Sequence, residues 1–387
     1  MYGFLASKEV QQSASLNNGV KDAIKALEWV HKYICKFGGD PNHVVIGGNS
    51  AGGSMVTHLM TANNGSEAVS KLFHGVILKS ASFPAQWTVK ESQYVYDKIA
   101  KVTKCDQAKD SLDCLRTLPT NELQKAHHSP PLPGADRKTK FLYGPVIDHD
   151  LISDSTLGLF RQGRFVRKPI ITGLVTDDGT SLELDKKVDE VDEGIDILRA
   201  EFPTLTNQHE AKARKFYFQD KTNTHSNVKH PGGERTYRID YTRNTETAFG
   251  EIRYVCPEFL FSKILDKDPA TRNKHWTYLY DVPEGKGANA VTRHSAECAP
   301  LFNAPNVISH NKLSTNAKAM VPLSRDTGRA SSARSIRTAI DMRGHRSGRP
   351  LRAGKDSRDC GSAEGKRPCT RCLASSRNDV SIGKVRT

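Results

Sequence analysis

The sequence predicts an α/β fold, a mostly parallel sheet flanked by helices, and three observations carry that expectation. Short β-branched runs recur along the chain, stretches with helical apolar spacing separate them, and one run leads through a glycine-lined turn directly into a helix. Strands that alternate with helices pair in parallel, because each crossover carries the chain back over a face of the sheet. At 387 residues with 37% apolar and 26% charged content, the chain is long enough for one large domain or two ordinary ones with a sizeable core.

From the start, Lys21 to Lys36 sets Ala23, Ile24, Leu27, Val30, Ile34 and Cys35 at helical spacing, and Gly38-Gly39 supplies the stop. Trp29 and the stripe around it read as core. After the turn Asp40-Pro41-Asn42, the run Val44-Val45-Ile46 reads as a buried strand, Gly47 to Gly53 as a sharp turn, and Met55 to Met60 as a second helix. Gly75-Val76-Ile77-Leu78, Pro169 to Val175 and Trp276 to Tyr280 repeat the strand signature. Between the last two the chain is polar, with helical patches around Ile195 to Phe202 and Phe249 to Ile264 that would cover the sheet.

The net charge of +14 invites a nucleic-acid reading until its location is counted. Residues 311–387 hold 18 Lys and Arg against 6 Asp and Glu, which leaves 39 against 37 for residues 1–310. The same segment has no Phe, Trp or Tyr and is rich in Ser, Gly and Arg. A segment without apolar surface to bury cannot offset its ordering entropy, so 311–387 reads as a disordered basic tail and no nucleic-acid partner is expected. No stretch approaches the roughly 18 to 20 apolar residues of a membrane helix, and Met1 to Gln12 lacks the blocks of a signal peptide. Cys369-Thr370-Arg371-Cys372 is a lone pair where zinc needs four ligands, so no metal is expected.

The chemistry concentrates at Gly48-Asn49-Ser50-Ala51-Gly52, a G-x-S-x-G pattern with a strand before it and a helix after it. Such a turn strains the serine backbone and pushes Ser50 Oγ out at the top of the sheet, while the Ala51 amide at the helix start points at a developing oxyanion. Serine needs a base oriented by an acid, and in this arrangement the acid and then the histidine follow it in the chain. Asp177 and Asp178 both sit directly after the strand ending at Val175; Asp192-Glu193 lies in an acidic run that reads as solvated surface. Of the seven histidines beyond Asp178, only His294 closely follows a strand on a Gly and Ala-bearing loop. No cofactor is called for.

Ala26-Leu27-Glu28-Trp29-Val30, Phe37-Gly38-Gly39-Asp40-Pro41, the serine motif with Gly53, Gly3-Phe4-Leu5-Ala6-Ser7, Pro145-Val146-Ile147-Asp148, Ala248-Phe249-Gly250-Glu251 and Cys256-Pro257 together resemble the type B carboxylesterases, the group of lipases and cholinesterases. The resemblance covers residues 1 to about 305. It implies an ester hydrolase with Ser50 as nucleophile, Ala51 as one oxyanion donor, Asp178 as the acid where most members carry Glu, and His294 as the base. It also implies a Cys105–Cys114 disulfide, a secreted setting in which the sequon Asn64-Gly65-Ser66 has meaning, and a small-molecule or lipid ester as substrate. Against that family the chain reads as truncated at both ends, without the preceding glycine pair that completes the oxyanion hole, and Asn49 stands where most members have Glu. A catalytically impaired fragment is therefore the alternative. Cys35, Cys256 and Cys298 read as buried or free thiols, and His127-His128 and Lys186-Lys187 as solvated loop.

Overall fold

Six strands follow one another along the chain: β1 (Val45–Asn49), β2 (Gly75–Lys79), β3 (Ile170–Val175), β4 (His225–Lys229), β5 (Arg235–Ile239) and β6 (His275–Tyr280). β1, β2, β3 and β6 lie side by side in that order, all parallel, and Ile46, Val76, Ile170 and His275 share one row across them. The computed structural model describes residues 1–127, 137–184, 186–219, 225–229, 235–282 and 291–302. The basic segment 311–387, with Cys360, Cys369 and Cys372, lies outside the described residues, as does His128.

The central strands are β-branched and buried, Val76, Leu78, Ile170, Ile171 and Val175 being at most 3% exposed, as a sheet covered on both faces requires. The first helix of the core, Asn18–Tyr33, starts three residues before the expected Lys21 and continues as a short tight turn, Ile34–Phe37. It lays Val20, Ala23, Ile24 and Leu27 on the sheet. Trp29 is not on that face: it is 48% exposed and meets Tyr33 and Phe37 along the outer stripe, which corrects its assignment to the core. At 3.6 residues per turn, positions 29, 33 and 37 form a row of their own, turned away from 20, 24 and 27. The helix after the serine turn, Ala51–Thr61, is buried at nearly every position from Gly53 onward and runs through the interior.

Beyond β3 the helix Cys256–Lys267 packs on the sheet core through Phe261 and Leu265, whereas the stretch 195–202, expected over the sheet, packs with Ala248 and Phe249 in a second cluster that meets the sheet at Leu174. Val191–Glu201 carries Asp192 and Glu193 in its first turn, where carboxylates face the free N–H groups. Thr242–Gly250 passes through a wide π turn, Glu251–Val255, into Cys256–Lys267. The antiparallel hairpin β4–β5 has no counterpart in the sequence reading, because its segments, HSNVK and RTYRI, lack a continuous apolar run.

Cys105 and Cys114 form the disulfide that the resemblance implies, with Cys105 inside a core of Val95, Tyr96, Ile99 and Leu112. Cys256 is also disulfide-bonded, which corrects its reading as a thiol; its partner lies outside the described residues. Cys35 is exposed and free, and Cys298 is buried and free. His127 is not simply solvated: it follows the helix Thr120–Ala126 and stacks on Tyr143 at 4.7 Å. Among the described residues no helix is long and apolar enough to cross a membrane.

Phe261 joins the helix Cys256–Lys267 to the sheet core, fully buried, edge-on to Phe160 at 4.7 Å and against Phe83 at 6.3 Å. Phe261→Ala should cost about 3 to 5 kcal/mol of stability, seen as a lower urea midpoint with an unchanged slope; a loss under about 1 kcal/mol would show that this contact does not hold the helix.

Candidate active site

Ser50 lies between β1 and the helix Ala51–Thr61 with φ 56° and ψ −120°, the strained turn the motif predicts. Its amide donates to Lys79 O at 2.9 Å, and its carbonyl accepts from Ser54 N at 3.0 Å and Ser82 N at 3.2 Å, so the turn is tied to the end of β2. A Cβ on Gly48 would sit 2.2 Å from the Gly52 carbonyl group, and one on Gly53 would sit 2.8 Å from Ala81 Cα. A Cβ on Gly52 would meet nothing within 4 Å, so the steric demand rests on Gly48 and Gly53 and not on the second glycine of the pattern. Ala51 begins the helix, where an N–H has no partner inside the helix.

The acid and the histidine arrive from the ends of β3 and β6. Asp178 opens the short helical turn Asp178–Leu182, its side chain fully buried; Oδ2 accepts from Val175 N at 3.2 Å and Oδ1 lies 2.7 Å from His294 Nδ1. Gly179 lets that turn press on Thr242–Gly250, since a Cβ there would overlap the Glu246 carbonyl oxygen. The histidine loop is held as well: His294 N donates to Thr180 Oγ1 at 2.8 Å. Asp177 turns the other way, accepting from Thr292 N at 2.9 Å and pairing with Arg243, so of the two adjacent carboxylates only Asp178 meets the imidazole.

Ser50 and His294 come together at Tyr254. The Tyr254 ring lies 4.8 Å from the imidazole, and its hydroxyl accepts from Ser181 Oγ at 3.0 Å. Burial pushes the Tyr254 hydroxyl up, opposed by hydrogen bonds from Ser181 and Ser50. His294 Nε2 is buried and has no hydrogen-bond partner among the described residues. The Ser50 hydroxyl thus leans on the phenol, and the imidazole nitrogen that faces away from Asp178 stands open.

Beneath these residues the three loops are cross-linked. Ser295, at φ 68°, donates through Oγ to Asn49 Oδ1 at 2.6 Å, and Asn49 Nδ2 donates to Lys79 O at 3.2 Å. An amide can do both; a carboxylate at position 49 could only accept. Glu297 Oε2 takes Lys79 Nζ at 2.7 Å and Tyr278 OH at 2.6 Å, and Tyr278 reaches it because its ring lies across Gly173. Behind Asp178, Glu258 is fully buried among Thr172 and Ser262; burial, and secondarily the Asp178 charge, push its carboxyl to about 7. Tyr254, Lys79, Tyr278 and Glu258 were not singled out from sequence, since no local pattern marks them. A cavity of about 220 Å³ opens on Ser50 and Ala51. Among the described residues no group of three or more His, Cys, Asp or Glu could hold a metal ion.

A parallel sheet whose strand ends carry a strained serine turn, a buried carboxylate and a histidine defines the α/β-hydrolase class. The chain belongs to the carboxylesterase family, whose profile matches residues 1–326. It is 36% identical over 190 residues to lipase 2 of Geotrichum candidum, covering 46% of this chain and 34% of the relative. A secreted triacylglycerol lipase of Gibberella zeae is 33% identical over 187 residues, covering 47% and 32%. The matched segment thus spans about a third of these curated relatives. Among solved structures, Aspergillus niger EstA aligns with a TM-score of 0.74 at 26% identity, covering 92% of this chain and 64% of its own. A PNB esterase shares the fold with a TM-score of 0.64 at 20% identity, covering 87% and 62%.

Because the folded Glu258 carboxyl titrates at about 7 and an unfolded one near 4.5, the native state holds a proton that the unfolded chain has lost between those values. This group therefore contributes stability below about pH 4.5 that is lost as pH rises toward 7. Glu258→Gln should remove that loss, so the variant should gain Tm relative to the parent at pH 8 and not at pH 5. A parallel pH dependence of the two proteins would rule Glu258 out as its source.

Proposed function

We propose that the chain is a serine carboxylic-ester hydrolase acting through Ser50, His294 and Asp178. The observation that carries the reading is the 2.7 Å contact of His294 Nδ1 with buried Asp178, beside a serine held in the strained turn. Asp178 accepts from Nδ1–H, which leaves Nε2 with its lone pair toward the serine and steadies the imidazolium that forms. Ser50 Oγ attacks the ester carbonyl while Nε2 takes its proton; the alcohol leaves with that proton, and the acyl group stays on Ser50. Water, deprotonated by the same nitrogen, then releases the acid. The Ala51 amide supplies one hydrogen bond to the tetrahedral oxyanion, an interaction that typically lowers the barrier by about 2.7 to 4 kcal/mol.

The substrate is a small-molecule or lipid ester, in line with the lipases and esterases among the relatives. At about 220 Å³ the cavity suits a short acyl group, being smaller than the roughly 300 to 1,000 Å³ of a drug-sized site. Secretion is supported by the secreted lipase of Gibberella zeae and by the Cys105–Cys114 bridge, which belongs to an oxidising compartment. The comparisons give no support to an impaired chain.

Intact-mass spectrometry after a fluorophosphonate probe should show one adduct per chain, absent in Ser50→Ala, and that variant should hydrolyse short p-nitrophenyl esters roughly 10³-fold more slowly or worse. An adduct that survives in the variant, or none on folded parent protein, would overturn the assignment. Tyr254→Phe removes the phenolic hydroxyl that holds Ser50 and leaves Nε2 as its partner. The labelling rate should rise roughly fivefold, the worth of one ordinary hydrogen bond; a fall would mean that the hydroxyl assists Ser50.

A further inference from the structure

We propose that the cavity at Ser50 takes esters that bear a carboxylate, hemi-esters of short dicarboxylic acids, and that Arg253 is the residue that binds the anion. The inference rests on the hydrolase reading and adds the substrate class to it.

Arg253 lies in the π turn Glu251–Val255 and is 4% exposed, yet it lines the cavity together with Ser50, Ala51 and Tyr254. Its Nε donates to Ser82 Oγ at 2.9 Å, and its guanidinium sits over the rings of Phe141 at 4.2 Å and Phe249 at 5.5 Å. Among the described residues no carboxylate lies within 4.0 Å of it. Its main electrostatic partners are the Tyr254 hydroxyl, which also hydrogen-bonds to it, and then Glu201, whose oxygens are engaged by Lys140 N at 2.7 Å and Thr139 Oγ1 at 3.1 Å. Arginine remains charged at any physiological pH, and a buried cation without an anion is costly. Two aromatic faces and the hydroxyls of Ser82 and Tyr254 offset part of that cost and leave the remaining Nη donors for a carboxylate, which accepts them in pairs.

The rest of the lining fits the same ligand. Arg253 is the only ionised side chain among the described residues of the cavity, whose wall combines uncharged polar groups with apolar ones such as Phe4, Trp87 and Val146. His58 adds no competing charge, because burial pushes it down to about 4 and its Nδ1 meets Thr156 Oγ1 at 3.3 Å. The guanidinium and the nucleophile are close: Ser82, which accepts from Arg253, also donates its amide to Ser50 O. An ester carbonyl at Ser50 and a carboxylate at Arg253 are therefore separated by only a few methylene groups. The reaction is unchanged, water entering and the alcohol and a dicarboxylate leaving.

The test compares kcat/KM for p-nitrophenyl hemiglutarate with that for neutral p-nitrophenyl hexanoate, in the parent chain, Arg253→Met and Arg253→Lys. The readout is the ratio of the two esters, so a loss common to both cancels. The ratio should fall roughly 10 to 100-fold in Arg253→Met, mostly through KM, with Arg253→Lys between. A ratio within about twofold across the three proteins would reduce Arg253 to a packing group and overturn the proposal. Fluorophosphonate labelling of the same preparations reports separately on the hydrolase reading. Should Ser50 prove unreactive, calorimetry with monomethyl glutarate decides: binding by the parent chain supports the anion site, and no binding overturns it. Should Arg253→Met not fold, the parent chain is titrated with monomethyl glutarate and with neutral dimethyl glutarate. Tighter binding of the monoester supports the anion site, and equal or absent binding overturns it.

Discussion

At Ser50 the chain leaves β1 and enters a helix within a single residue, at a φ that an L-amino acid occupies only at a cost of roughly 1 to 3 kcal/mol. Everything at the carboxyl edge of the sheet is arranged to hold that turn. Gly48 and Gly53 allow the helix and the end of β2 to close on it, and three backbone hydrogen bonds join Ser50 to residues 54, 79 and 82. The parallel register then brings the ends of β3 and β6 level with the turn, so that short excursions suffice for Asp178 and His294 to meet. A serine raised on a relaxed loop would gain no such neighbours.

Charge is buried around this edge in three different ways. Lys79 and Glu297 neutralise one another, and the Tyr278 hydroxyl donates to the same carboxylate oxygen. Glu258 avoids its charge by holding a proton to near neutrality. Arg253 keeps its charge and is wrapped by aromatic rings. Each solution follows from what the residue can do: a carboxyl can protonate, an ammonium pairs at a point, and a flat guanidinium stacks.

Much of this was legible in the sequence where the signal is local. The serine turn, the strands on either side of it and the order in which acid and base follow come from residues adjacent in the chain, and the structure brings Ser50, Asp178 and His294 to one edge. The choice of Asp178 over Asp177 came only through the family resemblance, because which carboxylate faces the imidazole depends on the direction in which the chain leaves β3. Trp29 misled because a helix with apolar residues on two sides does not declare which side is inward. Arg253 and Tyr254 escaped notice for a related reason: three successive residues, Ile252, Arg253 and Tyr254, are buried in the π turn, so no alternation of polar and apolar positions marks them. The second glycine of the serine motif shows the converse, a residue demanded by the pattern for which this fold has no steric need.

The cross-links under the site are among the longest in the chain: Ser295 reaches Asn49 across 246 positions and Lys79 reaches Glu297 across 218. During translation, at roughly 5 to 20 residues per second, the serine turn would emerge tens of seconds before the histidine loop exists. Throughout that interval the nascent polypeptide has the serine turn without the histidine proposed as its base. On the proposed mechanism the constellation is therefore completed late in synthesis, and a ribosome-bound chain that lacks the histidine loop would be chemically silent toward the esters around it.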